Sequence, residues 1–391
     1  MINYEKKLFK YIIIFIIFNL LILKIQTIQN FRAIYISGNY YFIVNETNIF
    51  YYSTEEGKIN DYVFNDDQKI NTKNEAEMIS FGIFRYNSDV ANCLIVKHYF
   101  YAIYENNVLC NDELSQIRGY TSEIYPFKCF DNGCCYYVVG FVNSSKILSL
   151  ILYENTVPSC ISNLLFTLSI NLDSDIFNCQ LMKPSYSEDV FTCFYQISNE
   201  IKASSYKINI DVNNNIKKIE TITSLTNSKE ISGLKIIKST LSQDRTKSFV
   251  CYINNENNCE CLIYDITNNV WSNNIYLNDC LLESSSIHIE YFDNKDEYIL
   301  YCFQSSTKFE LQKFDSNFEE KEDEENGIYD LTNSLSDCTE YYLSSLVHNS
   351  NNLKMFVSCD SNILQIIIEE AKVIPTTIIT TILTTFPQQQ S

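Results

Sequence analysis

Polar and apolar positions alternate along much of this chain. Lys207-Ile208-Asn209-Ile210-Asp211-Val212 and Ile287-His288-Ile289-Glu290-Tyr291 place an apolar residue at every second position, the period of a strand with one buried face. Runs at 249–253, 298–303 and 355–359 are apolar almost without a break, and predict strands covered on both faces. No long helical stripe follows residue 30.

These strands fall into seven groups, near 34–53, 79–104, 125–154, 177–210, 233–266, 286–316 and 341–370, separated by connections rich in Asn, Ser or acids. A group recurs about every 49 residues, against roughly 40–50 for a four-stranded propeller blade. Cys193, Cys251, Cys302 and Cys359 each sit in the second strand of their group, and Leu277-Asn278-Asp279-Cys280 returns as Leu335-Ser336-Asp337-Cys338. Blades stacked around an axis cover their middle strands on both faces and leave outer strands partly wet, which accounts for both strand types. The pattern predicts an all-β fold, a seven-bladed β-propeller over 31–372. Two or three β-sandwich domains in series, divided near 221–229, are the alternative.

Lys6, Lys7 and Lys10 precede an apolar run over 11–23, the order of a secretory signal peptide. No Ala-x-Ala site follows, so residues 1–26 read as a cleaved signal or as an uncleaved signal anchor, the one route to a membrane that the sequence suggests. The Thr-rich stretch 373–391 reads as a disordered tail. Export sets the meaning of the 15 cysteines, all beyond residue 92: in an oxidising compartment they predict disulfides, not metal ligands or catalytic thiols. Asn45 and Asn143 begin glycosylation sequons.

Hairpin register turns cysteine spacing into pairings, because directly opposed residues of an antiparallel pair lie within disulfide reach. A loop at 254–258 opposes Cys251 to Cys261, a loop at 131–133 opposes Cys129 to Cys135, and a loop at 184–189 brings Cys179 within one position of Cys193. The repeated motif adds Cys338 with Cys359 and Cys280 with Cys302, the latter about seven residues out of register. Cys93, Cys110, Cys134, Cys160 and Cys259 receive no partner by this argument, and the odd total leaves at least one thiol unpaired in a monomer. Zinc at Cys251, Cys259 and Cys261 is the weaker reading, since no His lies nearby.

Composition shifts the usual turn signals. The chain holds 52 Ile and 44 Asn but 8 Gly, 6 Ala and 5 Pro, so Asn is expected to take over turn duty through its Asx-turn hydrogen bonds and tolerance of left-handed backbone. This bias resembles that of proteins from AT-rich protists, apicomplexan surface proteins among them. Ile263-Tyr264-Asp265-Ile266-Thr267-Asn268, continuing to Val270-Trp271-Ser272, resembles the Tyr-Asp then Trp part of a kelch blade, although the chain has no Gly-Gly pair. The resemblance implies a secreted, kelch-like propeller ectodomain.

The formal charge of -19, with four arginines in all, opposes nucleic acid and other anionic backbones. Only His98, His288 and His348 are available to a Ser-His-Asp or Cys-His arrangement, and none lies in a recognisable signature. Eight glycines form no nucleophile elbow, phosphate loop or dinucleotide fingerprint. The acidic run at 319–325 reads as a solvated inter-blade loop and lacks the spaced oxygens of a calcium loop. Carboxylate pairs such as Asp173 and Asp175 are inevitable among 48 acids.

Together these features predict no catalytic, cofactor or metal residue and a non-catalytic recognition or adhesion ectodomain, secreted or on the cell surface. It would bind a protein or glycan through inter-blade loops, which rigid scaffolds commonly use for function. The alternatives are a secreted glycoside hydrolase with carboxylates at the channel mouth, and a structural coat protein marked by a large exposed apolar patch.

Overall fold

The computed structural model describes residues 31–381 apart from several connecting segments, with side chains described chiefly over 136–154, 161–184, 190–210, 217–272 and 296–335. The reading of residues 1–26 as a signal or anchor lies outside the described residues. The fold is all-β, and no helix long and apolar enough to cross a membrane occurs among the described residues. These residues form seven four-stranded sheets, each an antiparallel meander in chain order, over 31–63, 79–113, 121–171, 177–230, 236–277, 287–330 and 341–381.

A recurring turn lets a glycine-poor chain make these hairpins. Asn143, Asn254 and Asp315 each open a connection by accepting, on Oδ1, the N–H groups two and four residues on. The backbone carbonyl of the same residue accepts the N–H of the third residue on, at 2.9 Å for Lys146, 3.2 Å for Asn257 and 3.0 Å for Phe318. That third residue is left-handed, with φ 59°, 70° and 64° respectively. Ser242 serves Arg245 in the same way through its carbonyl at 2.8 Å, with φ 60° at Arg245. Asn was expected to supply the left-handed positions, yet Lys146, Ser198, Arg245 and Phe318 hold four of them. The Asx side chain fixes the turn at its first position and leaves the costly position open to any residue whose other contacts offset about 1–2 kcal/mol. Phe318 does so by burial, its ring 4.4 Å from that of Tyr298 and 4.9 Å from that of Phe249.

Two compact units emerge from the packing: one holds the first and seventh sheets, the other the second to sixth. In the first unit the opening strands of the two sheets, Phe31–Ser37 and Tyr341–Asn349, pack against each other. In the second unit the opening strand Ile236–Leu241 lies between the opening strands Phe177–Met182 and Ile287–Phe292. Sheets stack face to face there, and strand periodicity decides which neighbour each side chain meets. Cys193 and Tyr195 join Tyr136, Leu150 and Leu152 of the third sheet, whereas Phe194 joins Val250, Tyr252 and Tyr264 of the fifth. Trp271 of the kelch-like segment packs at 5.0 Å on Tyr264 and 5.8 Å on Phe194. The strand Glu297–Phe303, which carries the apolar run 298–303, is buried at every position, as a strand covered on both faces requires.

Three expectations change. The sandwich boundary near 221–229 falls inside one continuous strand, Ile216–Glu230, because its β-branched Ile and Thr residues favour extended backbone over a linker. The tail expected to be disordered from 373 contributes the strand Ile379–Thr381, paired with Asn362–Ile368 in the seventh sheet. Its Ile-Thr composition suits an edge strand as well as a stalk. The acidic run at 319–325 connects two strands of the sixth sheet, Lys308–Asp315 and Gly327–Asp330, and is not an inter-sheet loop.

Candidate functional site

The cysteines set the frame. Cys179–Cys193 and Cys251–Cys261 are disulfides between directly opposed residues, each with Cα atoms 4.0 Å apart. Cys280–Cys302 spans 5.7 Å without ladder register: Cys280 reaches Cys302 from the connection between the fifth and sixth sheets, held by a 2.8 Å bond from its N–H to the Asn257 carbonyl. Cys129 and Cys135 are opposed in register, but their side chains lie outside the described residues. Cys338 with Cys359 lies outside them too. The sulfurs of Cys251, Cys259 and Cys261 lie within 4.8 Å of one another. The disulfide takes two of them, and burial, then Glu260 and Glu310, pushes the Cys259 thiol up so that it stays neutral, neither nucleophile nor ready metal ligand.

Other sequence candidates have local structural partners. His288 stacks on Tyr301 at 4.7 Å. Asp173 accepts the Ser198 N–H on Oδ2 and, on its carbonyl, the Lys146 ammonium at 2.7 Å, which ties two hairpin turns together. Asn143 uses Oδ1 for its turn, and its Nδ2 makes no hydrogen bond among the described residues. Asn45 lies in the strand Tyr40–Asn45, its side chain outside the described residues.

The second unit contains a concavity of about 490 Å³ where the third and fourth sheets diverge, lined from four strands, within the roughly 300–1,000 Å³ usual for ligand pockets. Its origin is visible along one strand. On Glu200–Asp211 the face turned to the third sheet reads Lys202, Ser204, Tyr206, Ile208, Ile210. Tyr206 and Ile208 belong to the apolar core between the sheets, with Ile210 packed against it, while Lys202 and Ser204 line the concavity. Hydrocarbon therefore closes one end of the interface, and polar groups leave the other end open to water.

A bulge shapes the opposite wall. Ser204 pairs with Thr226 but Ser205 with Ile222, so residues 223–225 loop out of the ladder, which bends the strand and re-aims its side chains. Thr223 and Thr226 thereby join Thr221 along the opening. The freed carbonyls find partners on the fifth sheet: Asn269 donates to Ser224 at 3.0 Å, and the Tyr264 hydroxyl to Leu225 at 3.4 Å. The bulge is thus held from behind.

Within the concavity the Tyr195 hydroxyl and Ser204 Oγ share a 2.8 Å bond. Burial first, then the adjoining Tyr195, keeps the Tyr206 phenol protonated far above its usual range. Leu168 and Ile170 of the strand Ile161–Asn171 line it from the third sheet, and Ser169 between them stands on the opposite face of the strand. Among the described residues no carboxylate, His or Cys lines the concavity, which offers hydrogen bonds, apolar contact and one ammonium. A short clamp tethers the same two sheets elsewhere: Lys217 lies 3.0 Å from Glu154, which also accepts the Tyr136 hydroxyl at 2.6 Å.

The site lies on strands, where inter-blade loops were expected. It escaped the sequence reading because its residues are spread over 168–226 at the same alternate spacing as any wet strand. The signal that was available is the change from polar to apolar along a single strand face.

No protein family matches the chain, and no curated protein matches it. Among solved structures it is similar to a putative 6-phosphogluconolactonase from Bacteroides fragilis, with TM-score 0.50 at 11% identity, covering 90% of this chain and 92% of that one. A second putative 6-phosphogluconolactonase, from Bacteroides uniformis, gives TM-score 0.46 at 10% identity over 74% and 84%. A lectin from Aleuria aurantia, solved with Fucalpha1-6GlcNAc, gives 0.45 at 11% over 75% and 94%. At this identity the likeness to the first is one of fold, and it agrees with a β-propeller.

Proposed function

We propose that this protein is a non-catalytic, exported recognition protein, a seven-bladed propeller that binds a glycan in the concavity between its third and fourth sheets. The observation that carries the reading is the lining: hydroxyls of Tyr195, Ser204, Tyr206, Thr221, Thr223 and Thr226 around a strand-built opening. Hydroxyls donate and accept by rotation and so suit the vicinal hydroxyls of sugars, while tyrosine rings supply apolar contact. Strand placement keeps these groups preorganised, which limits the entropy lost on binding.

A glycosidase at this site would need two carboxylates flanking the bond, and none lines it among the described residues. A coat protein would need an apolar patch, whereas the exposed large hydrophobics among the described residues, Val63, Leu164, Val270 and Ile328, are scattered over four sheets. Disulfides in the folded chain support export.

The test is a glycan array probed with secreted protein and with Thr223→Trp, which fills the opening at an exposed position. Specific binding by the native chain, lost in the variant at unchanged melting temperature, is expected. Binding that survives the bulky residue overturns the placement, and a blank array overturns the function.

A further inference from the structure

Lys202 is half-buried in the concavity, and its ammonium makes no ion pair or hydrogen bond among the described residues. In a chain with 48 acidic and 29 basic side chains that is an unusual place for an unmatched cation. Elsewhere in the same unit, Lys217 meets Glu154 and Lys321 meets Glu297. The nearest acids on its own strand pair, Glu200 and Glu230, oppose each other at the strand ends, exposed and without an ion pair to Lys202. The hydroxyls around it divide into two sets. Tyr195 and Ser204 satisfy each other, whereas Thr221 and Thr223 are exposed lining groups without a side-chain hydrogen bond among the described residues.

We infer that the concavity selects a sugar bearing one negative group, a carboxylate or a sulfate ester, with the anion on Lys202 and ring hydroxyls on Thr221 and Thr223. This rests on the glycan reading above and specifies its substrate class. A partly desolvated ammonium strengthens a hydrogen bond to an anion well beyond that to a neutral hydroxyl. The acid-rich remainder of the protein would repel such a ligand at long range, but at physiological salt a Debye length of about 8 Å screens distant charges and leaves the contact pair. Lys202 therefore decides the preference locally against the sign of the net charge.

The experiment compares neutral, carboxylated and sulfated forms of the same glycan cores on an array, with affinities then measured in 0.15 M salt for the native chain, Lys202→Gln and Lys202→Arg. Charged forms are expected to bind about 10-fold more tightly than their neutral cores. Lys202→Gln should remove the preference, bringing charged and neutral forms to the same affinity, and Lys202→Arg should keep the preference. The ranking of carboxylated against sulfated forms identifies the source of the anion. Equal binding of charged and neutral forms, unchanged in Lys202→Gln, overturns this inference and leaves glycan binding standing. Binding to none of the glycans overturns both.

Discussion

Replacing Glu297 by Gln should be among the most damaging single changes available in the sixth sheet. Its carboxylate is an acid at the start of a fully buried strand, facing Lys313 at 3.7 Å and Lys321 at 3.1 Å. The Glu297 and Lys313 side chains are each 2% exposed, against 37% for Lys321. At 3.7 Å the Lys313 contact is an ion pair without a hydrogen bond, and Glu297 Oε1 accepts none. Without the carboxylate, Lys321 can turn to water at a cost of at most about 1 kcal/mol. Lys313 is buried, and breaking a buried ion pair by removing one partner costs about 3–5 kcal/mol. The loss should lower the melting temperature by about 6–20 °C, taking roughly 2–4 °C per kcal/mol for a unit of this size. Lys313→Met should cost less than half as much, because Glu297 retains Lys321. The double variant Glu297→Leu with Lys313→Met should recover most of the stability, since removing both charges together is often nearly neutral. Urea midpoints and thermal melts of the four proteins decide the matter. A Glu297→Gln melt within 2 °C of the native protein, or a Lys313→Met loss exceeding it, would refute the view that the buried lysine carries the penalty.

Three further outcomes are expected. Replacing Cys251 and Cys261 together by Ala should destabilise by about 3 kcal/mol from loop entropy, measured by urea unfolding; the double change avoids a new thiol beside Cys259, whose sulfur lies 4.0 Å from that of Cys261. Ser198→Gly, at an exposed left-handed position with φ 56°, should stabilise by about 0.5–1 kcal/mol net of glycine's entropy, read as a raised melting temperature. Burial raises the Glu154 carboxyl, but hydrogen bonds from Tyr136 and Lys217 outweigh it and hold the group below 4.5. A depressed folded value gives stability that is present above the unfolded value and lost as pH falls through the folded one. Melting curves of Glu154→Gln should therefore fall less steeply below about pH 4.5 than those of the native chain.

Much of the framework was legible because strands and hairpins are local. Constant index sums opposed Cys251 to Cys261 before any coordinate was known, and the 249–253 run announced a strand buried on both faces. Turn chemistry was half legible: Asn143 and Asn254 do punctuate the chain, but as acceptors at the first turn position. Nothing local says that Phe318 can hold a left-handed conformation, because what offsets its strain is packing on Tyr298 and Phe249, residues 20 and more positions away. Cys280 with Cys302 was legible only as a repeat, since the contact forms across a sheet-to-sheet connection and no hairpin sum reaches it.

The concavity shows why function was harder to read than fold. A polar residue at every second strand position has two causes, contact with water at the outside of a sheet or a gap between sheets, and alternation alone gives them the same spacing. What separates them is continuity along one face. Were Lys202 and Ser204 simply on the wet side of their strand, Tyr206 and Ile208 two and four residues later would be wet as well. They are buried against the third sheet instead. The same holds on Ile216–Glu230, where buried Ile219 is followed on its face by exposed Thr221 and Thr223. Two neighbouring strands that change from hydrocarbon to hydroxyl at the same level require the facing sheet to part from them there. The bulge at 223–225, braced from the fifth sheet by Asn269 and Tyr264, gives that parting a mechanical cause. Asn269→Ala would remove one brace while leaving the lining intact, so a loss of glycan affinity in that variant would locate the origin of the opening behind the site rather than within it.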